Sequence, residues 1–321
     1  MLRIVTTGIL GLALAALGAA GVHAQAKYPT KPIEIIVPFA AGASTDSSAR
    51  VLAQVLETRW GVPVKVVNKP GGNTVPAVTE VMAARTDGTT FLMDNIASSA
   101  MLDTVVKNLP YSVFDRTFVA VAAYTPMMFI VHSESPFKTL KEAGDALKSD
   151  TGNFTWTSLG GVGGQDMAFR QFAAAVGADV GKTRAIALKG GSEAVTLTAG
   201  GHVRMGTGTW SAVAAPFSAG KLRVLAVAGR ERWPGLPDTP STTEAGLPDV
   251  DAQFWVGISG PPKLPPDIVA TWDAALKEVL ADKAVQEKLL NAGVLASYMD
   301  APAMRAKVER DRKATQTLFA N

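Results

Sequence analysis

Cysteine is absent from the 321 residues. That excludes thiol nucleophiles, thiolate metal sites, disulfides and a lipidated cysteine behind a leader peptide. Histidine is almost as scarce. Beyond His23 there are His132 and His202, and neither stands in a His-Glu-x-x-His spacing. No Gly-x-Ser-x-Gly elbow occurs. Neither a catalytic residue nor a metal ligand is therefore assigned, and no cofactor is expected. Charge of one sign is also lacking, with 31 Lys+Arg against 28 Asp+Glu and a net charge of +3. Such a balance excludes an acidic disordered tail and a strongly basic nucleic-acid binder. Aromatics make up only 7%. After the first two dozen residues no run is long and apolar enough to span a bilayer.

Two near-motifs fail on inspection. Gly177-Ala178-Asp179-Val180-Gly181-Lys182-Thr183 resembles a phosphate-binding P-loop but has three residues between its glycines where four are needed. Gly206-Thr207-Gly208-Thr209-Trp210-Ser211 starts like a dinucleotide fingerprint and places serine where the third small residue belongs. Both read as loops.

The chain opens on an address. Met1-Leu2-Arg3 is a short positive start, and Ile4 to Gly21 is apolar or small apart from Thr6 and Thr7. Val22-His23-Ala24 fits the small-x-small cleavage pattern, so residues 1–24 read as a signal peptide cleaved near Ala24/Gln25. A retained membrane anchor is the competing reading.

Elsewhere, hydrophobic periodicity sets out α/β units. Ile33–Val37, Val64–Val67 and Thr90–Met93 read as strands. Leu52, Val55 and Leu56 mark a helix after the first, and Pro76 to Ala84 a helix after the second. The order restarts with strands at Met127–Val131, Phe154–Thr157, Ala185–Leu188 and Leu222–Ala228, alternating with helices at Leu140–Lys148, around Phe169–Val176 and at Glu193–Thr198. Three helical stretches close the chain, near Asp267–Ala281, Val285–Asn291 and Met304–Phe319. Strands alternating with helices imply a mainly parallel sheet in each unit.

Two segments share one layout: a strand, a loop of Gly, Ser and Thr, then an amphipathic helix. They are Pro38–Asp46 and Thr157–Asp166. Small residues let a ligand approach the backbone. The first amides of a helix lack internal partners and favour an anion. Ser44, Thr45 and Ser158 add hydroxyls able to donate to a carboxylate. Simple N-capping by Ser44 or Thr45 is the alternative. Asp46 and Asp166 argue partly against a bare anion site: each would accept N–H bonds at its own helix start or pair with a nearby donor. Trp210 and Trp255 flank the expected cleft and could cover a ligand or fill the core.

Tyr28-Pro29-Thr30-Lys31-Pro32-Ile33, followed by Val37-Pro38-Phe39-Ala40-Ala41-Gly42-Ala43-Ser44-Thr45-Asp46, resembles the substrate-binding proteins of tripartite tricarboxylate transporters, the Bug family. Val67–Asn73, Asp87-Gly88-Thr89-Thr90, Leu109-Pro110-Tyr111, Lys189–Ala194, Gly220–Val227 and Thr243–Pro248 extend the likeness along nearly the whole chain. The resemblance implies a two-lobed periplasmic binding protein of the type II, Venus-flytrap kind. It implies capture of a small carboxylate between lobes, with a large and a small membrane subunit as partners. The chain departs from the family pattern at Gly42-Ala43, Thr74–Ala77, Asp94-Asn95, Leu188 and Arg204, the last a candidate second cation or a surface residue.

The expectation is thus an α/β binding protein, monomeric, with lobe 1 over 25–124 and 253–300 and lobe 2 over 125–252. Residues 301–321 form a helix packed on the lobes. The carboxylate would meet Phe39, Gly42, Ala43, Ser44, Thr45 and Asp46 from one side and Ser158, Gly160, Gly161, Val162, Gly163 and Gly164 from the other. Asn95, Thr207, Thr209 and Trp210 would meet the rest of the ligand, be it a di- or tricarboxylate or an aromatic acid. A ligand-presenting partner for a receptor kinase and a small-acid hydrolase with a convergent site are the alternative functions.

Overall fold

The computed structural model describes residues 28–320. The leader expected over 1–24 and its cleavage point lie outside the described residues. Among the described residues, no helix is long and apolar enough to cross a membrane.

Residues 31–320 fold around a six-stranded sheet, a three-stranded sheet and a two-stranded one bridged to the second. The first begins with β1 (Ile33–Val37), whose β-branched residues are buried almost throughout. Helix α1 (Ser44–Trp60) follows and ends at Gly61, left-handed at φ +68°. Then come β2 (Val64–Asn68), α2 (Val75–Met82) and β3 (Thr90–Asn95). β1 pairs in parallel with both β2 and β3. Ile36, Val78, Val81, Leu92 and Leu102 form the core beneath this half. A π-helical turn, Ala97–Met101, leads into the short α3 (Leu102–Val105).

β4 (Thr117–Pro126) then carries the chain out of the first sheet, and β5 (Met128–His132) starts the second. Helix α4 (Leu140–Ser149), β6 (Thr155–Ser158), α5 (Gly164–Ala175), β7 (Arg184–Ala187) and α6 (Gly191–Ala199) follow. β8 (Gly206–Gly208), α7 (Trp210–Ser218) and β9 (Leu222–Val227) complete this half. Met128, Ile130, Val195, Val213, Val224 and Trp233 fill its core. β10 (Gln253–Gly260) returns to the first sheet. Helices α8 (Pro266–Ala281) and α9 (Lys283–Asn291), β11 (Leu295–Met299) and α10 (Ala301–Ala320) end the fold. The result is two α/β lobes.

The sheets are mixed, which corrects the expectation of mainly parallel ones. The first has the order β11-β4-β10-β3-β1-β2, and β10 runs antiparallel to both β3 and β4. The reason is the route of the chain. β4 leaves the sheet and β10 re-enters it alongside, so the two point in opposite directions. β11 is likewise antiparallel to β4. In the second sheet β5 follows β4 with no intervening helix and runs against β8 and β9. β6 and β7 are parallel, joined to this sheet by a parallel bridge between Trp156 and Met205. The crossings are tied at Met127, whose N–H donates to the Ala252 carbonyl (3.0 Å) and whose carbonyl accepts from Ala228 (2.8 Å). β8 also corrects the reading of Gly206–Gly208 as loop: Gly206 and Gly208 lie so close to α6 that a Cβ would collide with Thr198 or Val195.

Helix α10 packs on β4 and on the 97–105 segment. Arg312 clamps Asp103 (Nε to Oδ2 2.8 Å), and Trp255 donates to Asp311 (2.8 Å). Trp255 is core, not a ligand cover.

The end of β3 holds a fully buried ion pair, Asp94 with Arg116 (3.2 Å). Ser98 and Ser99 donate to Asp94 (2.5 and 2.7 Å), and Arg116 donates to Ser99 (2.6 Å). Removing one partner strands a buried charge. Arg116→Leu should therefore lower unfolding stability by about 3–5 kcal/mol, read from urea denaturation. A loss under 1 kcal/mol would show the pair to be dispensable.

Candidate functional site

Pro38, with no amide hydrogen, ends β1 and releases the chain into the first loop. Gly42, at φ +91°, turns its N–H onto Asp46 Oδ2 (3.1 Å). Asp46 also accepts from Arg50 Nε (3.0 Å) and from Asn68 Nδ2 (2.9 Å). Burial raises the Asp46 carboxyl, but the bonds from Arg50, Asn68 and Gly42 outweigh it and hold the group below its ordinary 3.8. Asp46 thus staples the loop. The N-cap of α1 is Ala43, which offers no side-chain acceptor. Ser44 and Thr45 sit one and two places inside the helix, so the capping alternative fails for both. Both are buried, and their hydroxyls have no partner among the described residues.

The second loop repeats the design. Asp166, fully buried, accepts from Ser158 Oγ (2.5 Å), Leu159 N (2.8 Å) and Gly161 N (3.1 Å). Burial pushes its carboxyl above the ordinary value, and those donors together with the Arg170 charge pull the other way. Ser158 Oγ also accepts from Gly160 N (3.0 Å). The single Ser158 proton goes to Asp166, and the Gly160 and Gly161 amides are already used, so they brace the loop. Among the described residues the amides of Val162, Gly164, Gln165 and Asp166 have no acceptor. Gly163, at φ +134°, is the N-cap of α5 and likewise has no side chain to cap with.

A third loop joins them. Gly190 and Gly191 follow β7 and open α6. Ser192 Oγ donates across the lobes to the Ala41 carbonyl (3.3 Å). A Cβ on Gly191 would lie 2.7 Å from Gln165 Nε2 and 3.5 Å from the Ala43 Cβ. The beginnings of α1 and α5, from opposite lobes, thus converge on Gly191. Asn73 Oδ1 packs against Gly160 at a distance no added Cβ could share (2.6 Å). Beside these contacts lies a cavity of about 270 Å³ whose walls include Phe39, Thr74, Val162, Leu188 and Lys189.

The other expected residues are more peripheral. Asn95 Oδ1 caps the turn at Ala97 N (2.9 Å) and Ser98 N (3.3 Å), leaving Nδ2 buried without a partner among the described residues. Thr207 donates to the Gln165 carbonyl (3.2 Å) and so positions the second loop. Thr209 bonds Ser211, and Trp210 packs edge-on against Phe217. Arg204 pairs with Asp150 (2.9 Å) over Phe137 and Phe154, which settles it as a structural clamp.

Three residues escaped the sequence reading. Gln165 reaches the convergence point with a side-chain amide that has no partner among the described residues. Ser192 had a usable signal, since strand, Gly-Gly-Ser and helix repeat the layout of the other two loops. Thr74 was marked only as a departure from the family pattern. It stands at φ +67°, a left-handed conformation that costs a β-branched residue about 1–3 kcal/mol. Its buried hydroxyl has no partner among the described residues.

Two outcomes follow. Gly160→Ala places a methyl against Asn73 and a side chain at φ +80°, and should lower the melting temperature, a loss that Asn73→Gly partly restores. Asp46 has a depressed pKa, so its stabilisation is complete above pH 3.8 and is lost as pH falls through the folded-state value. The stability gap between wild type and Asp46→Asn, followed by denaturation, should close on acidification. A gap that widened would reverse the sign of this linkage.

Comparison with known proteins places this geometry. The family description "Tripartite tricarboxylate transporter family receptor" matches residues 48–318. Protein BugT of Bordetella pertussis is 28% identical over 288 residues, which is 89% of this chain and 87% of that one. The solved periplasmic binding protein BugD superposes with a TM-score of 0.83 at 26% identity, over 91% of this chain and 98% of that one. MatC from Rhodopseudomonas palustris, solved with bound malate, shares the fold with a TM-score of 0.81 at 24% identity, over 91% of this chain and 99% of that one. With the match running over most of its length on the same two-lobed α/β frame, the chain belongs to the tripartite tricarboxylate transporter receptor family of periplasmic binding proteins.

Proposed function

We propose that the protein captures a small organic carboxylate between its lobes and delivers it to a tripartite tricarboxylate-type membrane transporter. One observation carries the reading. Two helix starts, Ser44–Asp46 and Gly164–Asp166, are buried behind N-caps without side-chain acceptors, Ala43 and Gly163, and approach the same point. Buried amides without acceptors are costly, and their partial positive charge favours an anion. A carboxylate supplies two acceptor oxygens, one for each lobe. Ser44, Thr45 and Gln165 add side-chain donors, and Val162, Gly164 and Gln165 add amides.

Capture works by closure, with lobe 1 over 25–124 and 253–300 and lobe 2 over 125–252 turning about the crossings at Met127. A ligand that touches both lobes favours the closed form over the open one. The largely apolar walls of the adjoining cavity suit the carbon skeleton of a di- or tricarboxylate or an aromatic acid. The malate bound to the similar MatC fold agrees with this class. The receptor family supplies the expected partners, a large and a small membrane subunit, and an exported product with its leader removed near Ala24/Gln25. No chemical step is assigned to the site.

The test is calorimetric titration with malate, adipate and benzoate, alongside thermal shift. At least one acid should bind and raise the melting temperature without being consumed. Replacing Ser44 and Thr45 together by alanine should weaken that binding roughly tenfold, at about 0.5–1.5 kcal/mol per hydroxyl. Failure of every carboxylate to bind would overturn the reading.

A further inference from the structure

A second recess borders the second loop at Ser158, Gly160, Gly161 and Asp166 but includes none of Ser44, Thr45, Val162, Gly164 and Gln165. It is a groove of about 850 Å³. One wall is α3 and the turn after it, with the end of α10; the other is β6, β7 and Arg170 of α5. It contains none of Gly42, Ser44 and Thr45, and it shares only Gly160 and Ala187 with the smaller cavity.

Each acid along the groove has a cation or donor on at least one oxygen, although Asp103 Oδ1 is buried without a partner among the described residues, while the groove's cations have no acid partner there. Asp103 Oδ2 is held by Arg312 Nε and Nη2 (2.8 and 2.7 Å). Asp166 holds three donors of its own loop. Arg170, by contrast, has no hydrogen bond and no carboxylate within 4.0 Å among the described residues. Its Nε is shielded and unpartnered, and its guanidinium lies 4.0 Å from the Phe319 ring centroid. Burial pulls the guanidinium pKa down, with the Asp166 charge opposing. Lys107, an exposed residue on the same groove, donates to the Thr104 carbonyl (3.1 Å) and has no carboxylate partner among the described residues. A half-buried guanidinium fixed on an aromatic ring with no counter-ion presents a planar fork shaped for a carboxylate.

We propose that this groove is a second anion site, taking a small dicarboxylate whose acid groups bridge Arg170 on one wall and Lys107 on the other. The walls belong to different lobes, so a bridging diacid favours the closed form independently of the ligand held by the helix termini.

The test uses full-length mature protein labelled with ¹⁵N-arginine and, separately, uniformly. The Arg170 Nε–H resonance, assigned by its loss in Arg170→Lys, is followed during titration with adipate and with hexanoate, which has a single acid group. Adipate should move it saturably, with hexanoate binding more weakly. Lys107→Gln, a change at an exposed residue, should weaken the adipate response roughly fivefold. Ala substitution of Ser44 and Thr45 should leave it unchanged. No response to adipate, or no effect of Lys107→Gln, overturns the proposal. So does a response that saturates with the Ser44 and Gly164 backbone amides and disappears with the Ser44/Thr45 change, which would indicate one site. Unmoved Ser44 and Gly164 amides beside a responding Arg170 would count against the amide grip alone.

Discussion

An amide hydrogen in the first turn of a helix has no carbonyl inside the helix to meet. In most helices a side chain or water answers it. Here the residues at that place are Ala43 and Gly163, which have no side-chain acceptor, and both helix starts are buried. The surrounding loops are built around this omission. Asp46 and Asp166, the nearest acids, do not neutralise the helix ends; each folds back to staple its own loop. The loops are thereby held rigid while the helix amides stay open. Such preorganisation lowers the entropic cost of binding an anion.

Backbone geometry supports the same arrangement. Gly42, Gly160, Gly161 and Gly163 all have positive φ, which lets the loops fold tightly beneath the helix ends. Gly164 lies against Met127 and Phe254, at the crossings between the lobes, so near that a Cβ would stand 2.8 Å from the Met127 sulfur. The start of α5 is therefore coupled by packing to the segments about which the lobes would turn. The mixed sheets serve this coupling. Because β10 returns beside β4, both crossings lie side by side and are hydrogen-bonded through Met127.

Much of this was legible in the residue order. Strong β-branched runs and helical periodicity gave β1, β2, β5, α4 and β9 to within a residue or two and marked the middle of α1. The two Gly-Ser-Thr loops stood out because strand, small residues and helix must place amides at a strand's carboxyl end. Strands β4, β8 and β11 did not stand out. Ala120, Ala122 and Ala123 in β4 and the glycines of β8 have weak strand propensity, and tertiary pairing alone makes them strands.

The amino-acid order by itself determined the alternation of strands and helices, the lack of thiol or histidine chemistry, and the presence of two small-residue loops ahead of helices. These are local properties, set by propensity, side-chain type and spacing. Only the tertiary structure decided which donors remain open. Whether Ser158 faces a ligand or Asp166, and whether Arg204 or Arg170 keeps an unpaired charge, depends on which groups the fold brings within hydrogen-bonding distance. That is a matter of three-dimensional proximity, which residue type and sequence spacing do not encode one position at a time.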